Sequence, residues 1–350
     1  MSVLATPPSS QIQQPTANEI VMQLATGYMA SISIHIVAKL GIADLLKNGA
    51  RSTADLAAAT QTNEDRLYRM LRALAATGIF TEVAPRRFAL TPAADCLRSD
   101  VEGSLRPMAI WIGDPLHFRV YAEMMHSIKT GSTTFDHVMG KPVFDYFPTD
   151  PSESEVFNHA MTCFSEMVTP AVLEAYDFSG IGTLMDVAGG HGMLLRSILN
   201  KYPEMRGVVV DLEHVIQGAK KMPENNALTH RCEFLCGDFF ADVPAKADAI
   251  IMKHIIHDWD DPEAITILKN CRKALAGKQN AKVILVETVI EPGDTPQLGK
   301  FIDLEMLAFT GGRERTEEEF HKLFTAAGLR LNRIVSTRAP LWVVEGVLNN

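Results

Sequence analysis

From Gly182 onward the chain alternates short apolar runs with segments of helical period, and this alternation restricts the fold more than any other feature. Runs at 183–188, 207–212, 232–237, 247–253 and 282–288 are separated by helical stretches near 193–202, 213–222 and 263–276. Strands that run in the same direction need a crossover between them, so the pattern predicts a mostly parallel, doubly wound α/β sheet with helices on both faces. A helix near 316–327 and two later strand-like runs, 329–337 and 341–347, predict an antiparallel hairpin at one edge. In open sheets of this kind ligands bind beyond the carboxyl ends of the strands. Three acids, Asp186, Asp211 and Asp238, close successive runs. Helix capping explains any one of them, but it does not account for three in a row.

The first acid is followed by Val187-Ala188-Gly189-Gly190-His191-Gly192, a cluster of glycines where an apolar run stops and a helical pattern begins. Glycines here let a ligand approach the main chain. Two cofactors compete for such a loop. A dinucleotide fold also uses a glycine-rich turn with an acid about 20 residues later, and Asp211 fits that second role. Three details favour S-adenosylmethionine. The glycines run G-G-x-G without the later helical glycine, no helix-opening run serves a pyrophosphate, and an acid precedes them, which suits a cationic amino-acid end. Gly237-Asp238-Phe239 then offers an acid and a ring for the amine and flat face of adenine. Candidate cofactor residues are Asp186, Gly189, Gly190, Asp211 with its neighbour Leu212, Asp238 and Phe239. Lys253 either snorkels or sits beside the cofactor, and Trp259 is either core or a stacking partner for adenine.

The fourth run ends in Lys253-His254-Ile255-Ile256-His257-Asp258-Trp259-Asp260-Asp261 and opens on the same crevice. Methyl transfer to a hydroxyl requires the acceptor to lose its proton. For a phenol of pKa near 10 against an imidazole near 6.5, full prior deprotonation costs roughly 5 kcal/mol, so the proton is expected to leave as the methyl moves. A histidine base needs its other ring nitrogen held, preferably by a carboxylate; Glu287, ending the 282–287 strand, and Glu314, before the 316–327 helix, are the candidates. His254, His257, Asp258, Asp260 and Asp261 also raise a metal site, but they are nearly consecutive rather than at tetrahedral-ligand spacing. Asp260-Asp261-Pro262 reads as a helix cap, and no metal is expected.

At 350 residues two domains are expected, and 47% hydrophobic with 21% charged residues is ordinary for a globular chain. The anticipated division is a disordered tail at 1–17, a dimerisation domain at 18–102, a helical connector at 103–175 and a cofactor-binding domain at 176–350. Apolar helical period continues from Asn18 to Leu40, dense enough to suggest burial against something beyond its own domain. Ser52 and Asn63 open two helices, and 79–83 and 87–90 flank a Pro85 turn as a small wing. This helix, helix, wing order raises a second hypothesis, a ligand-sensing dimeric DNA-binding regulator. Its arginines are nearly cancelled by neighbouring acids and the chain carries a net charge of −9, whereas a groove reader needs a basic face. Large apolar residues between Met108 and Met167 are either plain core or the lining of an aromatic-accepting pocket. Five scattered cysteines, no signal-like start and no apolar run of roughly 18 residues point to a cytoplasmic home.

Taken together, MDVAGGHG (185–192), VVVDLEHVI (208–216), GDFF (237–240), MKHIIHDWDD (252–261) and GGRERTEEEF (311–320) resemble the S-adenosylmethionine-dependent O-methyltransferases of the plant caffeic acid, hydroxyindole and bacterial polyketide type. The likeness spans nearly the whole chain after residue 18. It implies a winged-helix dimerisation domain on a class I methyltransferase domain, a homodimer, and a small aromatic or polyketide-like acceptor. It implies His257 as catalytic base with Glu287 and Glu314 flanking it, and Asp211, Asp238, Phe239 and Lys253 at the cofactor with the glycine loop. Two departures stand out. Ala188 replaces a common third glycine, which a small side chain should tolerate, and His191 replaces a Thr or Ser. Some relatives use the same fold for decarboxylation or hydroxylation; with the base and both acids present, methyl transfer comes first.

Overall fold

A computed structural model describes residues 15–226 and 228–348. The chain divides into two compact units, one ending at Asp114 and the other beginning at Pro115. Most of the tail anticipated at 1–17 lies outside the described residues; Ala17 already starts a helix, with Thr16 and Glu19 forming a capping box.

In the first unit the apolar period from residue 18 becomes two helices, Ala17–Ala25 and Gly27–Lys39. The break falls at Thr26, whose hydroxyl donates to the Met22 carbonyl at 2.7 Å, a local bond that competes with helix continuation. Helices Thr53–Thr60 and Glu64–Ala76 are capped by Ser52 and Asn63. Strands β1 (Arg51–Ser52), β2 (Phe80–Ala84) and β3 (Arg87–Leu90) form a small antiparallel sheet in the order β1-β3-β2. Leu56, Leu67, Leu71, Phe80 and Phe88 build its core.

The first unit runs past residue 102 to Asp114. Helix Arg106–Ile112 packs on helix Gly27–Lys39, with His35 Nδ1 against the Ile110 carbonyl at 2.8 Å and Arg106 donating to Ala38 and Asp44. A Cβ at Gly113 would lie 2.3 Å from that of His35, so this close seat requires glycine. Ile20, Val21, Met22, Leu24, Tyr28 and Met29 of the first two helices are exposed. Among the described residues no single helix is long and apolar enough to cross a membrane; only these two, as a bent pair, reach that length and apolarity together.

The second unit is built on a seven-stranded sheet. Its strands are β4 (Thr183–Val187), β5 (Arg206–Asp211), β6 (Cys232–Cys236), β7 (Ala249–Lys253), β8 (Lys282–Glu287), β11 (Leu329–Val335) and β12 (Trp342–Leu348). The order is β11-β12-β8-β7-β4-β5-β6, with β4 to β8 parallel and the last two strands antiparallel, as the run pattern predicts. A separate parallel pair joins β9 (Val289–Ile290) and β10 (Arg315–Thr316).

Alternate residues of each central strand face opposite sides. Met185, Val187, Ile250, Met252, Val283 and Leu285 pack against Ile267, Leu268 and Cys271 of helix Asp261–Ala274 and against Phe320 and Phe324 of helix Glu317–Ala326. The intervening Val209, Ile251 and Ile284 are fully buried as well. Burial on both faces is why these strands read as unbroken apolar runs. Helix Gly299–Phe309 had no counterpart in the expected elements.

Candidate active site

The strand order reverses between β4 and β7. From β4 the chain moves outward to β5 and β6, then returns to place β7 on the other side. This switch point opens a crevice at the carboxyl ends of the strands; the predicted site residues from Asp186 to Glu287 sit at or next to such an end or in the loop that follows it, whereas Glu314 comes from the segment between helix Gly299–Phe309 and β10.

On the β4 to β6 side, Asp186 is buried one residue before the end of β4. A Cβ at Gly189 would stand 2.7 Å from its Cγ, so only glycine lets the loop fold over this carboxylate. Gly190, at φ +57°, faces open space. Both oxygens of Asp211 accept backbone N–H groups, from Gly190 at 2.8 Å and Leu212 at 2.7 Å, which ties the loop to β5. Leu212 is 52% exposed. Asp238 is exposed and accepts from the Phe240 N–H at 2.8 Å, while the rings of Phe239 and Phe240 meet Trp259 edge-on at 6.1 and 4.7 Å. Trp259 therefore belongs to an aromatic cluster at the rim of the core.

Ala188 takes φ +54°, a left-handed conformation that the sequence alone did not disclose. The His191 carbonyl accepts from the Asn225 side chain, and a Cβ at Gly218 would lie 3.1 Å from its Nε2.

Lys253 ends β7 and is half-buried. Burial pulls its pKa down against the opposing carboxylates of Asp186, Glu287 and Asp258. Asp186 is pushed up to about 7 by burial, which Lys253 partly offsets. Burial likewise raises Asp211.

The loop after β7 is clamped from two sides. Glu287, at the end of β8, accepts the N–H groups of Ile255 and Ile256 on one oxygen at 3.0 and 2.9 Å. From the opposite side Arg315, almost wholly buried, donates to the carbonyls of Ile256 and Trp259 and to Asp261 at 2.8 to 3.0 Å. Gly312 lies so close that a Cβ there would fall 2.0 Å from the His257 carbonyl oxygen, and the Arg313 N–H bonds that same oxygen at 2.8 Å.

Within this clamp His257 Nδ1 lies 2.8 Å from Glu314 Oε1, and its Nε2 is 3.7 Å from Asp258. Glu314 is fixed in turn, its N–H donating to Asp303 of helix Gly299–Phe309 at 2.8 Å. Burial works to lower the imidazole's pKa, but the carboxylates of Glu314, Asp258 and Glu287 outweigh it and push His257 up to about 10. Glu287, against the ordinary carboxylate range, is pushed up to about 7 by burial. The two acids thus divide the work: Glu314 holds the ring, while Glu287 holds the loop.

Sequence reasoning did not single out Gly312, Arg315 or Asp303. The glycine pair and the alternating charges of Gly311-Gly312-Arg313-Glu314-Arg315 were the available signal, a loop too crowded with charge to be a plain helix start. Nor did linear spacing reveal that Glu287 joins His254 and His257 in space, with one ligating atom from each inside a 4.8 Å sphere of mutual distance.

A sheet with a switch-point crevice, a glycine loop over a buried acid and an imidazole held by a carboxylate define a class I methyltransferase. The chain matches the O-methyltransferase domain over residues 121–330 and the O-methyltransferase dimerisation domain over residues 22–100, and it belongs to this family of S-adenosylmethionine-dependent O-methyltransferases. It is 40% identical over 328 residues to the phenazine O-methyltransferase PhzM of Lysobacter antibioticus, covering 94% of this chain and 95% of that protein. The crystal structure of LaPhzM superposes with a TM-score of 0.90 at 40% identity, covering 96% of this chain and 100% of that one. An O-methyltransferase from neocarzinostatin biosynthesis, solved with S-adenosyl-L-homocysteine and 1,4-dihydroxy-2-naphthoic acid, gives a TM-score of 0.77 at 29% identity over 92% and 96% of the two chains.

Proposed function

We propose that this enzyme methylates a hydroxyl on an aromatic or polyketide-like small molecule, with His257 as general base and with no metal required for turnover. When bound, S-adenosylmethionine supplies an electrophilic methyl on a cationic sulfur. The residues present fit it: Gly189 and Gly190 leave main chain open beside the buried carboxylate of Asp186, which suits a cationic amino-acid end. Asp211 and Leu212 suit the ribose, and Asp238, Phe239 and Trp259 suit adenine. Lys253 balances the acids around that crevice.

On the acceptor side, Glu314 fixes the His257 ring through Nδ1 and leaves Nε2 to take the hydroxyl proton. Glu287, Gly312 and Arg315 fix the loop that carries it. Glu314 also stabilises the imidazolium formed once the proton arrives, which is worth most as the methyl moves. Relatives named as phenazine and 3-amino-4-hydroxybenzoate O-methyltransferases, and the 1,4-dihydroxy-2-naphthoic acid in the neocarzinostatin enzyme, support an aromatic acceptor.

The observation that carries this reading is the buried 2.8 Å contact between His257 and Glu314 at the switch-point crevice. His257→Ala is expected to abolish turnover, by roughly 10²-fold or more, while calorimetry still detects donor binding. Turnover within a few-fold of wild type would remove His257 from the role. The acceptor class is tested by product mass spectrometry on a panel of phenols, flavonoids and polyketides; methylation of none of them overturns it.

A further inference from the structure

Among the described residues His254 Nε2, Glu287 Oε2, Thr288 Oγ1 and Glu314 Oε2 of the second unit are buried without a hydrogen-bond partner, and the first two belong to one cluster. The other oxygen of Glu287 is fully engaged by Ile255 and Ile256, so its orientation is set while Oε2 stays free. The His254 ring is held by a stack on Phe164 at 4.8 Å and stands 4.3 Å from the ring of His257. Its backbone takes φ +54°, a conformation that side-chain-bearing residues seldom adopt and that turns it into the cluster.

His257 brings the third donor. With Nδ1 on Glu314, its Nε2 is the remaining lone-pair position. An imidazole whose second nitrogen is held by a carboxylate is the usual outer arrangement of a metal-bound histidine. One nitrogen or oxygen from each of His254, His257 and Glu287 lies within 4.8 Å of the others. Two ligands 2.0 to 2.1 Å from one tetrahedral ion are about 3.4 Å apart, so small side-chain rotations close the set.

The geometry points to a binding site for one divalent transition-metal ion at His254, His257 and Glu287, an imidazole and carboxylate set suited to Zn²⁺, whose occupation blocks methyl transfer by engaging His257. The surrounding charge agrees, because Asp186, Asp258 and Glu314 outnumber the single Lys253 around the cluster. The site itself stands on these contacts. Its effect on turnover rests on the base role proposed for His257.

The test uses the full-length, chelator-treated enzyme and Co²⁺ as a spectroscopic stand-in for Zn²⁺. One equivalent per chain is expected to give visible ligand-field bands that Zn²⁺ abolishes. His254→Asn, which tolerates the left-handed backbone, and Glu287→Gln are each expected to lose those bands and to bind at least about tenfold more weakly. His254→Asn should keep metal-free turnover within a few-fold of wild type, and its inhibition by Zn²⁺ should need correspondingly more ion. Bands and affinity unchanged in both variants, or no bands in wild type, overturn the site. Metal bound with turnover intact supports the site and overturns the role of His257, so the two readings fail separately.

Discussion

At the scale of single residues, the proposed base is a buried ring with charge placed beside it. Glu314 is the nearest acid to His257 and the strongest of those that favour its protonated form. Glu314→Gln keeps a hydrogen-bonding group of the same shape but removes that charge. The His257 pKa then falls from about 10 toward its ordinary value, so the rising limb of kcat/KM with pH moves to lower pH. The plateau above that limb drops by roughly 10²-fold, since the imidazolium formed during transfer loses its stabilising partner. A pH-rate profile checks both, and a limb that stays in place would mean that Glu314 does not set this pKa. Ala188 gives a second residue-scale prediction. Its φ of +54° costs about 1 kcal/mol for an L residue, partly offset in a Gly variant by greater freedom of the unfolded chain. Ala188→Gly is therefore expected to raise stability by about 0.5 kcal/mol in denaturant titration, and a loss of stability would show that the strain is absent.

At the scale of elements, the loop after β7 carries the proposed base, and its position is imposed by neighbours distant in sequence. Gly312 permits main chain to lie against main chain: a Cβ there meets the His257 carbonyl, the Asp258 carbonyl carbon and the Trp259 nitrogen at 2.0 to 2.5 Å. None of these atoms belongs to a flexible side chain that can swing aside. Gly312→Ala must displace the loop, and a shift near 1 Å at a catalytic group costs about 10²-fold. The expected result is a fall in kcat of that order that exceeds any loss of donor affinity, because of the proposed donor residues only Trp259 is in this contact, while those at the ends of β4 to β6 lie outside it. Unchanged kcat on purified, folded protein would contradict the close approach.

For the whole molecule, the first unit leaves an apolar surface on its two leading helices, with Val21 65% and Leu24 73% exposed. That surface lies on and beside the segment that matches the dimerisation domain. Contiguous apolar surface of this kind marks an association site, and a homodimer through it is expected. Val21→Glu together with Leu24→Glu should shift the protein toward monomer in analytical ultracentrifugation at micromolar concentration. A dimer that persists would place the interface elsewhere.

The sequence by itself determined the doubly wound sheet, the antiparallel closing hairpin and the acids at the strand ends. Strands buried on both faces must be continuously apolar, and that constraint is local enough to read residue by residue. It also carried the glycine loop, since Gly189 folds over an acid only three positions away. Helix Gly299–Phe309, the seat of Arg106–Ile112 with the first unit, and the clamp made by Gly312 and Arg315 were decided by tertiary structure. So was the meeting of Glu287 with His254 and His257, because β8 reaches β7 only after a helical crossover. Periodicity records which face of an element is buried, whereas the partner it is buried against is set by strand order and by the space that packing leaves.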